Sequence, residues 1–358
     1  MLLVVFGAGA SYDSIPSRRR ERDSVFSDQG APRPPLANAL FDERGLFTEC
    51  LQRFPACHPI VPYLRSTPGA AMVNVEQVLG RLQSEADAFP DRHRQLAAVR
   101  FYLRQALKGI SSEWLHTSKG ITTYKTLLDQ IRMCRKGDES VCFVTFNYDT
   151  IFEEALESIG VRLNAIEDYT ANSVFSLIKI HGSVDWWRPI RNPPVVPNNL
   201  DVWEVANTII ASADTLQVSD QYVRNPVDGI GGWPQEPPMF PAIAIPLEQK
   251  RDFECPHAHL QALERALVYT RKILFVGWRA TDVPFLDLLK ERLTPGQVEC
   301  YVVAGGNNDT RDVVNRLTAA GINIAQFFLE GGFSDFVLSR KVEPFLRAPS
   351  GATQIAAI

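Results

Sequence analysis

The sequence predicts an α/β protein with a doubly wound, mainly parallel sheet and a helical insertion. Three observations carry this prediction. Leu2-Leu3-Val4-Val5-Phe6 is a continuous apolar run closed by Gly7, the pattern of a strand buried on both faces. Val141 to Phe146 repeats the pattern after a stop at Gly137. From there onward strand-like and helix-like segments alternate, as crossover-connected parallel strands require.

The elements follow in order. Pro16 to Pro35, with Arg18-Arg19-Arg20 and Pro32, Pro34 and Pro35, has no apolar periodicity and reads as a surface loop. From Leu36 to Lys119 the spacing is helical, as in Val75, Val78, Leu79, Leu82 and in Leu96, Val99, Leu103, Leu107. Residues 16–119 are therefore expected to be a loop and helical insertion, with 1–15 plus 120–358 forming a Rossmann-like domain. Within it the expected order is a helix over Thr122 to Arg135, the strand from Val141, a helix over Asp149 to Ile159 and a strand over Val174 to Ile180. Next come strand Ala242 to Ile245, helix Leu260 to Tyr269, strand Ile273 to Val276 and helix Val283 to Leu293. An extended Val298 to Val303, a helix over Asp309 to Ala320 and an extended Ile322 to Phe327 complete the alternation. Asn192 to Pro238, rich in proline and glycine, is expected to be an irregular excursion suited to a lid or contact surface.

Composition excludes several classes. With 358 residues, 45% of them apolar, the chain can bury a large core. Its 37 basic and 41 acidic residues give a formal charge of −4, so no global attraction to nucleic acid is expected. The uncharged opening, Met1 to Tyr12, is too short to span a bilayer and lacks a basic leader, which predicts a soluble, cytoplasmic protein. The 6 cysteines include no C-x-x-C pair, which argues against a disulfide framework and a four-cysteine zinc site.

Candidate chemistry gathers at strand ends. Gly7-Ala8-Gly9-Ala10-Ser11 follows the first strand, where glycines permit a tight turn and let backbone N–H groups approach a pyrophosphate, although such a turn also uses glycine for packing. Thr145-Phe146-Asn147-Tyr148-Asp149 ends the second strand, and Asn147 or Asp149 could equally cap the next helix. His181-Gly182 ends the third, poised at the same crevice. Gly277-Trp278 with Thr281-Asp282 offers groups for a ribose or phosphate, and Ala304-Gly305-Gly306 small residues for an adenosine. Cys255, His257 and His259 lie close together without a fourth ligand, so no metal site is expected. Trp186-Trp187 reads as core or interface, and Arg18-Arg19-Arg20 as a solvated run.

In this order the segments resemble the sirtuin-like NAD-consuming family: Gly7-Ala8-Gly9-Ala10-Ser11, Asn147-Tyr148-Asp149, His181-Gly182, then Gly277 with Asp282. Within it the chain looks more like the bacterial sirtuin-like NADases of antiphage defence than the protein deacetylases. No zinc module follows His181-Gly182, the next cysteine being Cys255; Phe146 stands where deacetylases tend to have Gln; and Pro34-Pro35-Leu36-Ala37 and Val75 to Leu79 resemble that branch. The resemblance implies that Asn147 and His181 act as the catalytic pair, with Asp149 at the nicotinamide end. It implies that Gly7, Ala8, Gly9, Ser11, Thr145, Gly277 and Asp282 bind NAD, which is a substrate, with no zinc.

Without an acyl-lysine groove the implied acceptor is water, giving nicotinamide and ADP-ribose, and the implied role is NAD depletion in abortive infection. It further implies restraint of the resting enzyme through a homo-oligomer, a nucleotide signal or a partner such as an Argonaute or a HerA-class ATPase; charge and the lack of a long apolar run add the expectation of no direct nucleic-acid or membrane binding. Any sensor is then expected on a separate polypeptide or a self-assembled interface. Glu76 reads as exposed from its helix, whereas the resemblance puts a similar residue near the pocket wall. The rival readings are a non-enzymatic nucleotide-sensing or interaction module of a defence complex, and a protein ADP-ribosyltransferase or deacylase.

Overall fold

A computed structural model of the chain describes residues 1–15, 33–65, 74–197, 199–225, 238–246, 253–294, 296, 298–322, 324, 326–329 and 331–348. Arg18-Arg19-Arg20, Gly229 and Gly231-Gly232 lie outside these residues. The strands, in chain order, are β1 (Leu2–Phe6), β2 (Val141–Thr145), β3 (Phe175–Lys179), β4 (Gly182–Pro189), β5 (Val223–Arg224), β6 (Met239–Ile243), β7 (Lys272–Val276), β8 (Glu299–Val303) and β9 (Gln326–Phe328).

Six of them form one parallel sheet in the order β3-β2-β1-β7-β8-β9. The expected doubly wound, Rossmann-like α/β fold is thus present. All five residues of β1, β2 and β7 are buried, which is why these segments read as unbroken apolar runs rather than alternating ones. The chain winds from β1 outward to β3, returns, and winds from β7 outward to β9. Right-handed crossovers then put helices Thr123–Cys134 and Ile151–Glu157 on one face and Val283–Arg292 and Asn307–Ala319 on the other.

Two expectations need correction. The apolar segment 242–245 does not join the parallel sheet: β6 pairs antiparallel with β4 in a separate sheet of order β5-β4-β6. The residues after His181, for which the sequence predicts no element, form β4. The stretch 192–238 is not irregular throughout, because Val202–Ala211 is a helix. Its signal lay in Asp201-x-x-Glu204, where Asp201 Oδ1 accepts the N–H groups of Trp203 and Glu204 and the Glu204 carboxylate accepts that of Asp201, all at 2.8 Å.

Two apolar cores result. One surrounds the parallel sheet. The other joins Asp91–Ser118 and its neighbouring helices to the antiparallel sheet and helix Val202–Ala211. Strand β4 is shared: Trp186 packs into the first core and Trp187 into the second, both fully buried. Strict alternation alone would place Val184 with Trp186, yet Val184 packs with Trp187 in the second core. A register shift between Gly182 and Trp187 accounts for this, since a bulge re-aims the side chains that follow it.

Candidate active site

Open α/β sheets bind ligands where the strand order reverses, outside the carboxyl ends of the strands. Here that point lies between β1 and β7, and a cavity of about 840 Å³ opens there, within the range of roughly 300–1,000 Å³ usual for small-molecule sites. The structure brings together on its wall Gly7, Ala8, Gly9, Ser11, Asn147, Asp149, His181, Gly277 and Asp282. Thr145 stands one layer behind: it is buried and its Oγ1 accepts the Asn147 N–H at 3.0 Å.

The β1 and β7 turns interlock. Gly7 N–H donates to Val276 O and Gly9 N–H to Gly277 O, each at 3.0 Å. A Cβ on Gly7 would stand 2.5 Å from Trp278 Cα, and one on Gly9 2.9 Å from Gly277 Cα. Gly277 has φ +59°, and a side chain there would enter the backbone of Gly9 and Ala10. These glycines therefore allow two backbones to touch beneath the cavity floor. The N–H groups of Gly7 and Gly9, expected to face a pyrophosphate, are bonded to β7 and its turn instead.

His181 sits just beyond β3, and Gly182 follows with φ +78°, where a Cβ would in addition collide with the Ala242 carbonyl of β6. The glycine of this His-Gly pair is thus required by sheet packing. The imidazole lies against Phe146, edge to face at 4.9 Å between centroids, with Tyr148 at 6.1 Å. Its Nε2 is 3.0 Å from Asp282 Oδ2, while Asp282 Oδ1 accepts the Phe285 N–H at 3.1 Å and so caps helix Val283–Arg292. A carboxylate so fixed orients the ring.

Asn147 is buried, and its Nδ2 faces Gly7 O at 3.0 Å, Ser11 Oγ at 2.9 Å and Tyr124 OH at 3.3 Å. Asp149 accepts the Ile151 N–H at 3.1 Å, so the capping reading of this residue also holds. Burial pushes its carboxyl above the ordinary value, opposed by the Lys179 ammonium and the Ser11 hydroxyl. Lys179 is itself fully buried, 2.6 Å from Glu153 Oε1.

A family model for the SIR2-like domain matches residues 141–324, just over half of the chain. The chain belongs to the SIR2-like family. That family consists of NAD-dependent enzymes. A solved structure reported as "The Structural basis of Sirtuin Substrate Affinity" aligns over 95% of this chain and 93% of its own at 12% identity and a TM-score of 0.32, too loose a likeness to carry an argument. None of the curated proteins compared matches the chain.

The SIR2-like cavity has walls that strand-end motifs did not mark. Glu76 lines it, as do Pro34 to Ala37 and Leu107, Ile110 and Ser111 of helix Asp91–Ser118. Ala304 and Gly305, which the sequence did mark, line the other end beside Val303, together with the unmarked Asp309, Asp312 and Arg316 from helix Asn307–Ala319, Arg279, and the Gly331-Gly332-Phe333 turn. The paired glycines 331–332 were the one readable signal for that turn. Arg316 donates to the Arg279 carbonyl at 2.8 Å.

Among the described residues no group of three or more His, Cys, Asp or Glu is placed to hold a metal ion. His259 instead meets the Ile166 carbonyl at 2.9 Å, and burial lowers its pKa. Nor is any described helix long and apolar enough to cross a membrane.

Proposed function

We propose that this SIR2-like protein hydrolyses NAD, breaking the nicotinamide–ribose bond to release nicotinamide and ADP-ribose. The observation that carries the reading is the convergence of Asn147, Asp149 and the His181–Asp282 pair on one cavity at the strand-order reversal. Loss of nicotinamide leaves an oxocarbenium-like ribose, and catalysis then consists of orienting the bond, stabilising positive charge and directing water. Asn147 positions the ribose or the water, His181 accepts a proton or a ribose hydroxyl hydrogen bond, and Asp149 holds the nicotinamide end. Arg279 and Arg316 supply positive charge toward the opposite end, where the small residues 303–305 admit the adenosine.

Water is the acceptor in this reading, as the resemblance implies for a chain without an acyl-lysine groove. The same resemblance supports a role in bacterial antiphage defence, with NAD depletion held in check by a homo-oligomer or by a partner such as an Argonaute or a HerA-class ATPase. The test is incubation of purified protein with NAD, alone and with acetylated peptide, beside His181→Ala and Asn147→Ala. Nicotinamide and ADP-ribose that disappear in both variants and ignore the peptide are expected. Turnover that survives both substitutions, or products that require the peptide, overturns the reading.

A further inference from the structure

Behind the cavity, out of reach of any ligand, Tyr124 projects from helix Thr123–Cys134 into the sheet core. Its ring is fully buried against Phe6 at 5.0 Å, Phe152 at 5.2 Å and Phe333 at 5.4 Å between centroids. Only its hydroxyl meets polar groups: Ser11 Oγ at 3.0 Å and Asn147 Nδ2 at 3.3 Å.

The direction of this network is fixed at both ends. At one end the Gly7 carbonyl can only accept, so the Asn147 amide must turn its nitrogen inward. At the other, the Tyr124 hydroxyl meets only Ser11 Oγ and the Asn147 nitrogen, which cannot accept, so its hydrogen goes to Ser11 Oγ. One Asn147 amide hydrogen goes to Gly7 O, and the other lies between two oxygens that Tyr124 and Ser11 hold together, Ser11 Oγ at 2.9 Å and Tyr124 OH at 3.3 Å. An amide held by its nitrogen on the buried side presents Oδ1 on the other. Oδ1 takes no partner among the described residues and is not sealed from solvent, and Asn147 lines the cavity.

We propose that Tyr124 is a positioning residue: its hydroxyl locks the Asn147 amide so that Oδ1, an acceptor, faces the substrate. This deepens the hydrolase reading and rests on it for the role of Asn147. An acceptor at that place receives a hydrogen from a ribose hydroxyl or from the attacking water, whereas a flipped amide would offer a donor to both.

Tyr124→Phe removes the hydroxyl and keeps the ring. The first measurement needs no turnover: protein labelled with nitrogen-15 at asparagine, the Asn147 side-chain amide being assigned by its loss in Asn147→Ala. In the wild type its two protons are expected to exchange slowly with solvent; in Tyr124→Phe the pair shifts and exchanges at least tenfold faster. Free exchange in the wild type, or an unmoved pair in the variant, overturns the proposal, and the wild-type arm decides even if the variant folds poorly. The second measurement is NAD turnover, where kcat is expected to fall at least tenfold with KM changed less than threefold. A moved amide with unchanged kcat also overturns it. If the wild type releases no nicotinamide while its amide is locked and the variant's is not, the hydrolase reading falls and the positioning of Asn147 stands.

Discussion

His181 Nε2 and Asp282 Oδ2 lie 3.0 Å apart although they are contributed by the third and seventh strand ends of the chain. The imidazole reaches the cavity from the β3–β4 turn, and the carboxylate is held by the first turn of helix Val283–Arg292. Asp282 therefore joins two tasks, capping a helix and orienting a ring.

Asp282→Asn separates those tasks. Asparagine caps a helix about as well as aspartate, so the thermal midpoint stays close to that of the wild type. The negative charge beside His181 is lost, and nicotinamide release falls by about 10²-fold if the ring works as a base. Product chromatography beside a thermal melt checks both; unchanged turnover would remove Asp282 from the mechanism.

Gly277→Ala tests the interlocked turns. With φ +59° and the backbone of Gly9 and Ala10 in the way, alanine strains the turn and pushes β1 from β7. The conformational part alone costs about 1–3 kcal/mol. Urea unfolding and NAD binding are both expected to weaken, and a variant with wild-type values for each would contradict the packing argument.

Lys179→Met leaves Glu153 buried without its cation. Breaking one side of such a pair costs about 3–5 kcal/mol, whereas replacing both partners by apolar groups is often neutral or stabilising. Lys179→Met is thus expected to be much less stable than the double variant Lys179→Met, Glu153→Leu. Equal urea midpoints for the two would show that the pair is not the source of the loss.

His259 makes stability depend on pH. Burial beside Trp186 and Tyr169 lowers its pKa below the ordinary 6.5, with Glu167 opposing. The unfolded chain then takes up a proton before the folded one does. The stability associated with the neutral ring is complete above pH 6.5 and is lost as pH falls toward the depressed value, at about 1.4 kcal/mol per unit of depression. Urea midpoints at pH 7.5 and 5.5 are expected to differ less in His259→Gln than in the wild type.

Much of the fold was legible because buried parallel strands leave an unmistakable mark, as Leu2 to Phe6 and Val141 to Thr145 do. Strand β4 was not. Its opening, Gly-Ser-Val-Asp, is not the apolar run of a buried strand, and the partner that lets Asp185 be buried, Lys108 at 3.0 Å, stands 77 residues away. The cavity's strand-end residues were visible because topology dictates where ligands bind. Tyr124 was hidden: in sequence it is one aromatic among others on a helix, and only the folded chain brings its hydroxyl to Asn147. The glycine of the His-Gly pair was visible but unexplained until the Ala242 carbonyl appeared beside it.

The tryptophans of β4 have a consequence for how the molecule comes apart. Adjacent residues of one strand seal two separate interiors, so neither interior can open without loosening the backbone that closes the other. Heating is therefore expected to give a single calorimetric peak rather than two, and trimming helix Asp91–Ser118 to unseat the antiparallel strands along with it. The helical segment behaves as a keystone, and deletion is the wrong tool for learning what it does.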